Sequence, residues 1–153
     1  MKRIRVAGII PMNGGFALMH RMDVKKNPNF HEYYTFPGGG LEAGETKEEG
    51  TIREIKEEFG INVKVIKELY KLDSKEFNQE EYYYLCKYID GKFGTGQGPE
   101  FNNDPKYVDS GKYLPEIIKP EEIKNIRLLP PEIKEKFVQD IEKGETKIYI
   151  WQI

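Results

Sequence analysis

Gly39-Gly40-Leu41-Glu42-Ala43-Gly44-Glu45-Thr46-Lys47-Glu48-Glu49-Gly50-Thr51-Ile52-Arg53-Glu54-Ile55-Lys56-Glu57-Glu58-Phe59-Gly60-Ile61 sets a glycine turn directly before a helix that collects acid on one side. At about 100° per residue, Glu54, Glu57 and Glu58 fall within an arc of roughly 100°, and Ile52, Ile55 and Phe59 fall opposite them. One face can be buried while the other presents carboxylates. Thr46 is the expected N-cap, Glu49 completes a capping box, and Gly60 supplies the left-handed residue that ends a helix, so the spacing predicts a helix over 47–59. Close like-charged pairs on a helix repel by a few tenths of a kcal/mol each unless cations neutralise them. Arg53, expected beside Glu49 and Glu57, supplies part of that charge, and a metal ion can supply the rest. Oxygen donors without nearby His or Cys favour a hard ion, Mg²⁺ or Mn²⁺, which keeps waters and shares its shell with phosphates.

Working outward, Pro37-Gly38-Gly39-Gly40 lets backbone approach an ion closely. Before it, Arg3 to Pro11 and Phe16 to Arg21 flank Asn13-Gly14-Gly15 and read as a hairpin, and Tyr33 to Phe36 reads as a short strand after the polar stretch Met22 to Glu32. After the helix, Val63 to Leu72 and Glu81 to Ile89 read as strands. Asp90 to Leu114, rich in glycine with isolated aromatics, reads as a long loop, either substrate-facing or a surface excursion. Ile123 to Leu129 is an apolar run, Pro130-Pro131 opens a helix to about Lys143, and Thr146 to Ile153 reads as a closing strand. Periodicity alone gives an α+β domain.

The chain has 153 residues, enough for one domain over 1–153 with a sizeable core. A net charge of −2 offers no general attraction to long nucleic acid, although a small anion on a metal remains compatible with it. The single cysteine, Cys86, excludes an internal disulfide and suits a reducing compartment. The N-terminal apolar stretch is too short for a signal or a membrane span, so a cytoplasmic protein is expected. His20 and His31 read as ordinary strand and loop residues.

The stretch Gly39 to Ile61 resembles the signature of the Nudix hydrolases, MutT-like enzymes: Gly, five residues, Glu, seven residues, then Arg-Glu-apolar-any-Glu-Glu-any-Gly-apolar. Every specified position is filled; Gly50 stands where alanine is usual. The resemblance implies an α/β/α sandwich around a mixed sheet, with the 47–59 helix on one face and the helix from Pro131 on the other. It implies metal-dependent hydrolysis of a phosphoanhydride in a nucleoside diphosphate linked to another group, a nucleoside triphosphate or modified nucleotide among them. Glu57 and Glu58 would then be the main ligands of Mg²⁺ or Mn²⁺, with Glu54 and the Gly39 carbonyl completing the set. Arg53 and Glu45 would hold the acids in place. Such enzymes often draw a base from a loop outside the signature, for which Glu100 is the candidate, with Glu76, Glu80 and Glu81 of the loop before the next strand as competitors. Phe93, Phe101 and Tyr107 are candidates for stacking a nucleobase. Phe77 to Gln79 lacks the proline of ADP-ribose subfamilies and the tyrosine of dinucleoside polyphosphate subfamilies. The expected partner is a small nucleotide-type diphosphate, and the protein a monomer or homodimer. A nucleotide-sensing module without turnover is the alternative, and an isomerase would need Cys86 activated.

Overall fold

The computed structural model describes residues 2–22, 32–98 and 111–144. In chain order the elements are β1 (Arg3–Ile9), β2 (Pro11–Met12), β3 (Gly15–Met22), β4 (Glu32–Thr35), β5 (Gly38–Gly40), α1 (Lys47–Phe59), β6 (Asn62–Ser74), β7 (Gln79–Asp90) and β8 (Lys112–Ile118). A 3₁₀ helix (Pro120–Asn125), β9 (Leu128–Leu129) and α2 (Pro131–Glu142) follow.

Two mixed sheets form. The first runs β5-β1-β7-β6, with β1 antiparallel to β5, parallel to β7, and β7 antiparallel to β6. The second runs β2-β3-β4-β9, with β8 also paired to β3. Because side chains alternate along a strand, β1 serves two cores at once. Val6 and Ile10 face Ile55 and Phe59 of α1, whereas Ala7 and Ile9 face the cluster that holds Ile133 and Phe137 of α2. The α/β/α layering follows, with a helix on each side.

Helix α1 has the bounds its spacing predicts. Glu49 N–H donates to Thr46 Oγ1 at 3.1 Å, Thr46 N–H donates to Glu49 Oε1 at 2.9 Å, and Gly60 ends the helix at φ 75°. The buried stripe is Thr51, Ile55 and Phe59, spaced four apart, while Ile52 is 36% exposed and lies at the rim. The apolar face is therefore narrower than its three large residues suggest, and Gly50 lies against Leu41 and against Val6 of β1.

Three other expectations are corrected. The hairpin is confined to Pro11–Met12 against Gly15–Phe16, closed by Asn13 (φ 51°) and Gly14 (φ 79°); β1 leaves it and joins the first sheet. Asp90 to Leu114 is not all loop, since Lys112, Tyr113 and Leu114 pair with Met22, Arg21 and His20. Glu80, expected in the loop, lies in β7, which begins at Gln79, and Glu81 lies in that strand as its strand reading had it rather than in the loop among the base candidates. Each error has one cause: pairing with a distant strand, which no local pattern carries. The expected strand over Thr146 to Ile153 and most of Met22 to Glu32 lie outside the described residues.

The core on the α2 side is aromatic. Phe137 meets Phe16 and Phe36 edge-on, with ring centroids 4.8 and 5.2 Å away, and Phe36 meets Tyr83 at 5.8 Å. All four rings are at most 1% exposed. Phe137→Ala is expected to lower unfolding free energy by about 3–5 kcal/mol, read from urea titration, because the surrounding strands cannot collapse into the space.

Candidate functional site

The site begins at the edge strand β5. Its three glycines lie beside β1 in the register Gly38–Ala7, Gly39–Val6 and Gly40–Arg5. A Cβ on Gly39 would fall 2.6–2.7 Å from the Glu54 carboxylate, so only glycine lets that acid press against the backbone. Gly38 N–H donates to Glu58 Oε2 at 2.7 Å. A Cβ on Gly50 would meet Leu41 at 2.7 Å and Glu45 at 3.0 Å, which is how α1 comes close enough for these contacts. The absent side chain offsets the helix propensity glycine lacks, about 1 kcal/mol.

Arg53 organises the acids. Its Nε and Nη2 donate to the two Glu45 oxygens at 2.6 and 3.0 Å, and Nη1 donates to Glu54 Oε1 at 2.9 Å. Nη1 also lies 3.5 Å from Glu57 and 3.4 Å from Glu42, and Nη2 donates to the Gly40 carbonyl at 3.2 Å. Glu49, expected beside Arg53, is held in the capping box instead. The Glu45 carboxyl is held below the usual range by its bonds to Arg53, and those bonds raise the guanidinium's own pKa. Glu54 moves the other way. Burial pushes its carboxyl up, Arg53 opposes this, the Glu57 charge adds to the rise, and Arg5 lowers it.

The structure thus brings Glu45, Arg53, Glu54 and Glu57 together and sets Glu58 at the head of β5. Among the described residues no three His, Cys, Asp or Glu side chains converge on one point, because Glu54 and Glu57 are turned to Arg53 and Glu58 to Gly38. The donor set, carboxylates and a glycine backbone with the acid against it, suits a hard divalent ion once the carboxylates turn outward.

Arg3 and Arg5, which no local motif singles out, flank the same strand. A Cβ on Gly40 would lie 2.9–3.0 Å from the Arg3 guanidinium, and Arg5 Nη2 donates to the Phe36 carbonyl at 3.4 Å. Their only trace in the sequence is alternation, two arginines on a strand otherwise apolar. Arg5 is in register with Glu81, a carboxylate only 4% exposed that accepts from Tyr83 Oη at 2.5 Å and Gln79 Nε2 at 2.6 Å. Glu80 accepts from Tyr82 Oη at 2.8 Å, and Glu76 lies in the turn before β7. Phe93 packs its ring on Phe59, centroids 4.9 Å apart. Glu100, Phe101, Tyr107 and His31 lie outside the described residues. His20 is on β3, bonded to Glu116 and, at 3.0 Å, to Glu32, and it stacks on Tyr34.

A family model described as the NUDIX domain matches residues 1–146. An 8-oxo-dGTP diphosphatase from Haemophilus influenzae is 32% identical over 120 residues, covering 74% of this chain and 85% of that protein. An ADP-ribose pyrophosphatase from Methanocaldococcus jannaschii is 45% identical over 62 residues, 40% of this chain and 34% of that protein. A solved UDP-X diphosphatase superposes with a TM-score of 0.64 at 16% identity, over 94% of this chain and 64% of that one. The match thus spans about a third of the length of the M. jannaschii pyrophosphatase and less than two thirds of the solved diphosphatase. The chain belongs to the NUDIX family, as its signature implies, and its mixed α/β sandwich is the fold that family resemblance implied. Enzymes of this family generally depend on divalent metal.

Cys86 is fully buried on β7, and burial pushes its thiol up to about 12, which gives no thiolate for isomerase chemistry near neutral pH. The native protein is expected to consume no maleimide at pH 7.5, and the urea-unfolded protein one equivalent. Rapid labelling of the native form would mean the thiol is exposed and activated.

Proposed function

We propose that this protein is a metal-dependent pyrophosphohydrolase that cleaves a phosphoanhydride in a nucleoside diphosphate linked to another group. The observation that carries the reading is the Arg53-centred gathering of Glu54 and Glu57 against a glycine strand whose head is held by Glu58. Glu54, Glu57, Glu58 and the Gly39 carbonyl would hold Mg²⁺ or Mn²⁺. Bound there, the ion would neutralise phosphate oxygens and lower the pKa of a water.

The chain's own residues divide the remaining work. Glu45 fixes the Arg53 fork, and Arg53 in turn orients Glu54 and Glu57 through charge-assisted bonds. Arg5, within reach of both Glu54 and the Tyr83–Glu81 pair, is suited to hold a substrate phosphate beside the acids. Glu100 is the proposed base. What supports it is the described end of its loop, where Gly98 N–H donates to the Glu57 carbonyl at 2.9 Å, two residues before Glu100. Glu81 is a poorer base because both its oxygens already accept bonds in a buried wall. Phe101 and Tyr107 are the proposed base-stacking residues; Phe93 serves the end of α1 instead. We place the activity on a small nucleotide in the cytoplasm, in a monomer or homodimer; among the described residues no helix is long and apolar enough to cross a membrane. A sensing module would not need the full set of acids that this chain retains.

The test is a panel of nucleoside triphosphates, oxidised nucleotides, ADP-ribose, NADH, nucleotide sugars and dinucleoside polyphosphates with Mg²⁺ and with Mn²⁺. Turnover should require the ion and stop with chelator. Glu57→Gln and Glu58→Gln should each lower kcat by about 100-fold or more, the scale of several kcal/mol of charge stabilisation. Glu57→Gln relieves repulsion at a partly exposed position and should leave thermal stability equal or higher. Normal rates in both variants, with folding intact, would sink the proposal.

Arg53→Lys keeps the charge but loses the fork that grips Glu45 while reaching Glu54. It should lower kcat by about 10- to 100-fold with KM within twofold of wild type. A raised KM with kcat unchanged would move Arg53 onto the substrate.

A further inference from the structure

The last turn of α1 ends on carbonyls that have no partner within the helix, and two of them belong to Glu57 and Glu58. The glycine-rich chain after β7 comes back to meet them. Gly94 N–H donates to the Phe59 carbonyl at 2.9 Å, Thr95 N–H to the same oxygen at 3.3 Å, and Gly98 N–H to the Glu57 carbonyl at 2.9 Å. Between them, Gly96 lies so close that a Cβ there would stand 2.3 Å from the Glu58 carbonyl oxygen and 2.5 Å from that of Glu57. Thr95 Oγ1 donates to the Lys92 carbonyl at 2.7 Å and holds the turn in shape. Phe93 anchors it on Phe59, and a Cβ on Gly60 would strike Thr95.

A helix end needs one or two capping bonds; here a whole turn is fitted backbone to backbone over the residues that carry Glu57 and Glu58. We infer that Gly94–Gly98 is a positioning clamp that sets the last turn of α1 and, through it, the direction of the Glu57 and Glu58 carboxylates, with Gly96 as its essential residue. The inference rests on the reading of those acids as metal ligands. The reason is steric. Backbone carbonyls cannot move aside as a flexible side chain does, so any side chain at Gly96 must lift the turn or bend the helix end. A displacement of about 1 Å at ligating groups is enough to cost a site about 100-fold.

The experiment compares wild type with Gly96→Ala, Thr95→Val and the exposed control Gln97→Ala. Three quantities are read at 25 °C: Mn²⁺ affinity by electron paramagnetic resonance without substrate, amide hydrogen exchange at 94, 95 and 98 in chelator, and kinetics over a range of Mn²⁺. Gly96→Ala should speed exchange at the three amides by at least tenfold, weaken Mn²⁺ binding about tenfold, and lower kcat with KM within twofold at saturating ion. The rate deficit should be larger still below saturating Mn²⁺ and shrink towards that residual loss as the ion is raised. Thr95→Val should shift exchange and Mn²⁺ affinity in the same direction by about threefold, and it carries the test if Gly96→Ala does not fold. Gln97→Ala should match wild type. Faster exchange in Gly96→Ala with Mn²⁺ affinity and kcat unchanged would overturn the inference and leave the turn a cap alone. A wild type that binds no Mn²⁺ would overturn it together with the metal reading, and the wild-type arm alone identifies that case.

Discussion

The bond from Glu45 to Arg53 is the constraint on which the rest of the site depends. Four carboxylates crowd one side of α1 and its entry turn, and without a fixed cation they would turn apart into solvent. Glu45 holds the guanidinium from the turn side, which leaves Nη1 for Glu54 and Glu57 and Nη2 for the Gly40 carbonyl. One residue thereby ties the helix, the turn before it and the edge strand β5 into a single rigid unit. Because Arg53 bonds to backbone as well as to acid, the charge pattern cannot relax without moving the strand.

That unit is held in place by packing beneath it. Ile55 and Phe59 are buried against β1, β6 and β7, and Gly50 brings the helix close to Leu41 and Val6. On the other side of β1, Ala7 and Ile9 pack into the cluster that holds Phe16, Phe36 and Phe137. Phe36 belongs to that cluster and directly precedes Pro37 and the glycine strand. A core residue on the α2 side therefore sets where the α1 site begins, and the two layers of the sandwich act on one another through the strand between them.

The acid helix was legible because all its information is local. Capping by Thr46 and Glu49, termination at Gly60 and the arc of Glu54, Glu57 and Glu58 depend on residues within one or two turns of each other. The partner of Arg53 was half legible: Glu45 was picked out through family resemblance, while the helix periodicity pointed to Glu49, which the cap had already taken. Arg3 and Arg5 were not legible because their meaning comes from Gly40, which pairs with Arg5 and lies under the Arg3 guanidinium 35 residues or more away in the chain.

By itself the sequence determined the family signature, the bounds of α1 and the gathering of acids on one side of that helix. Each of these is fixed by spacing along the chain. Only the tertiary structure decided that β1 leaves its hairpin to lie parallel to β7, that Lys112 to Leu114 form a strand on β3, that Glu81 is walled in by Tyr83 and Gln79, and that Gly96 presses on the end of α1. These are contacts between segments far apart in sequence. Their energy comes from close packing and from backbone groups finding partners, and neither is encoded in the neighbours of any one residue.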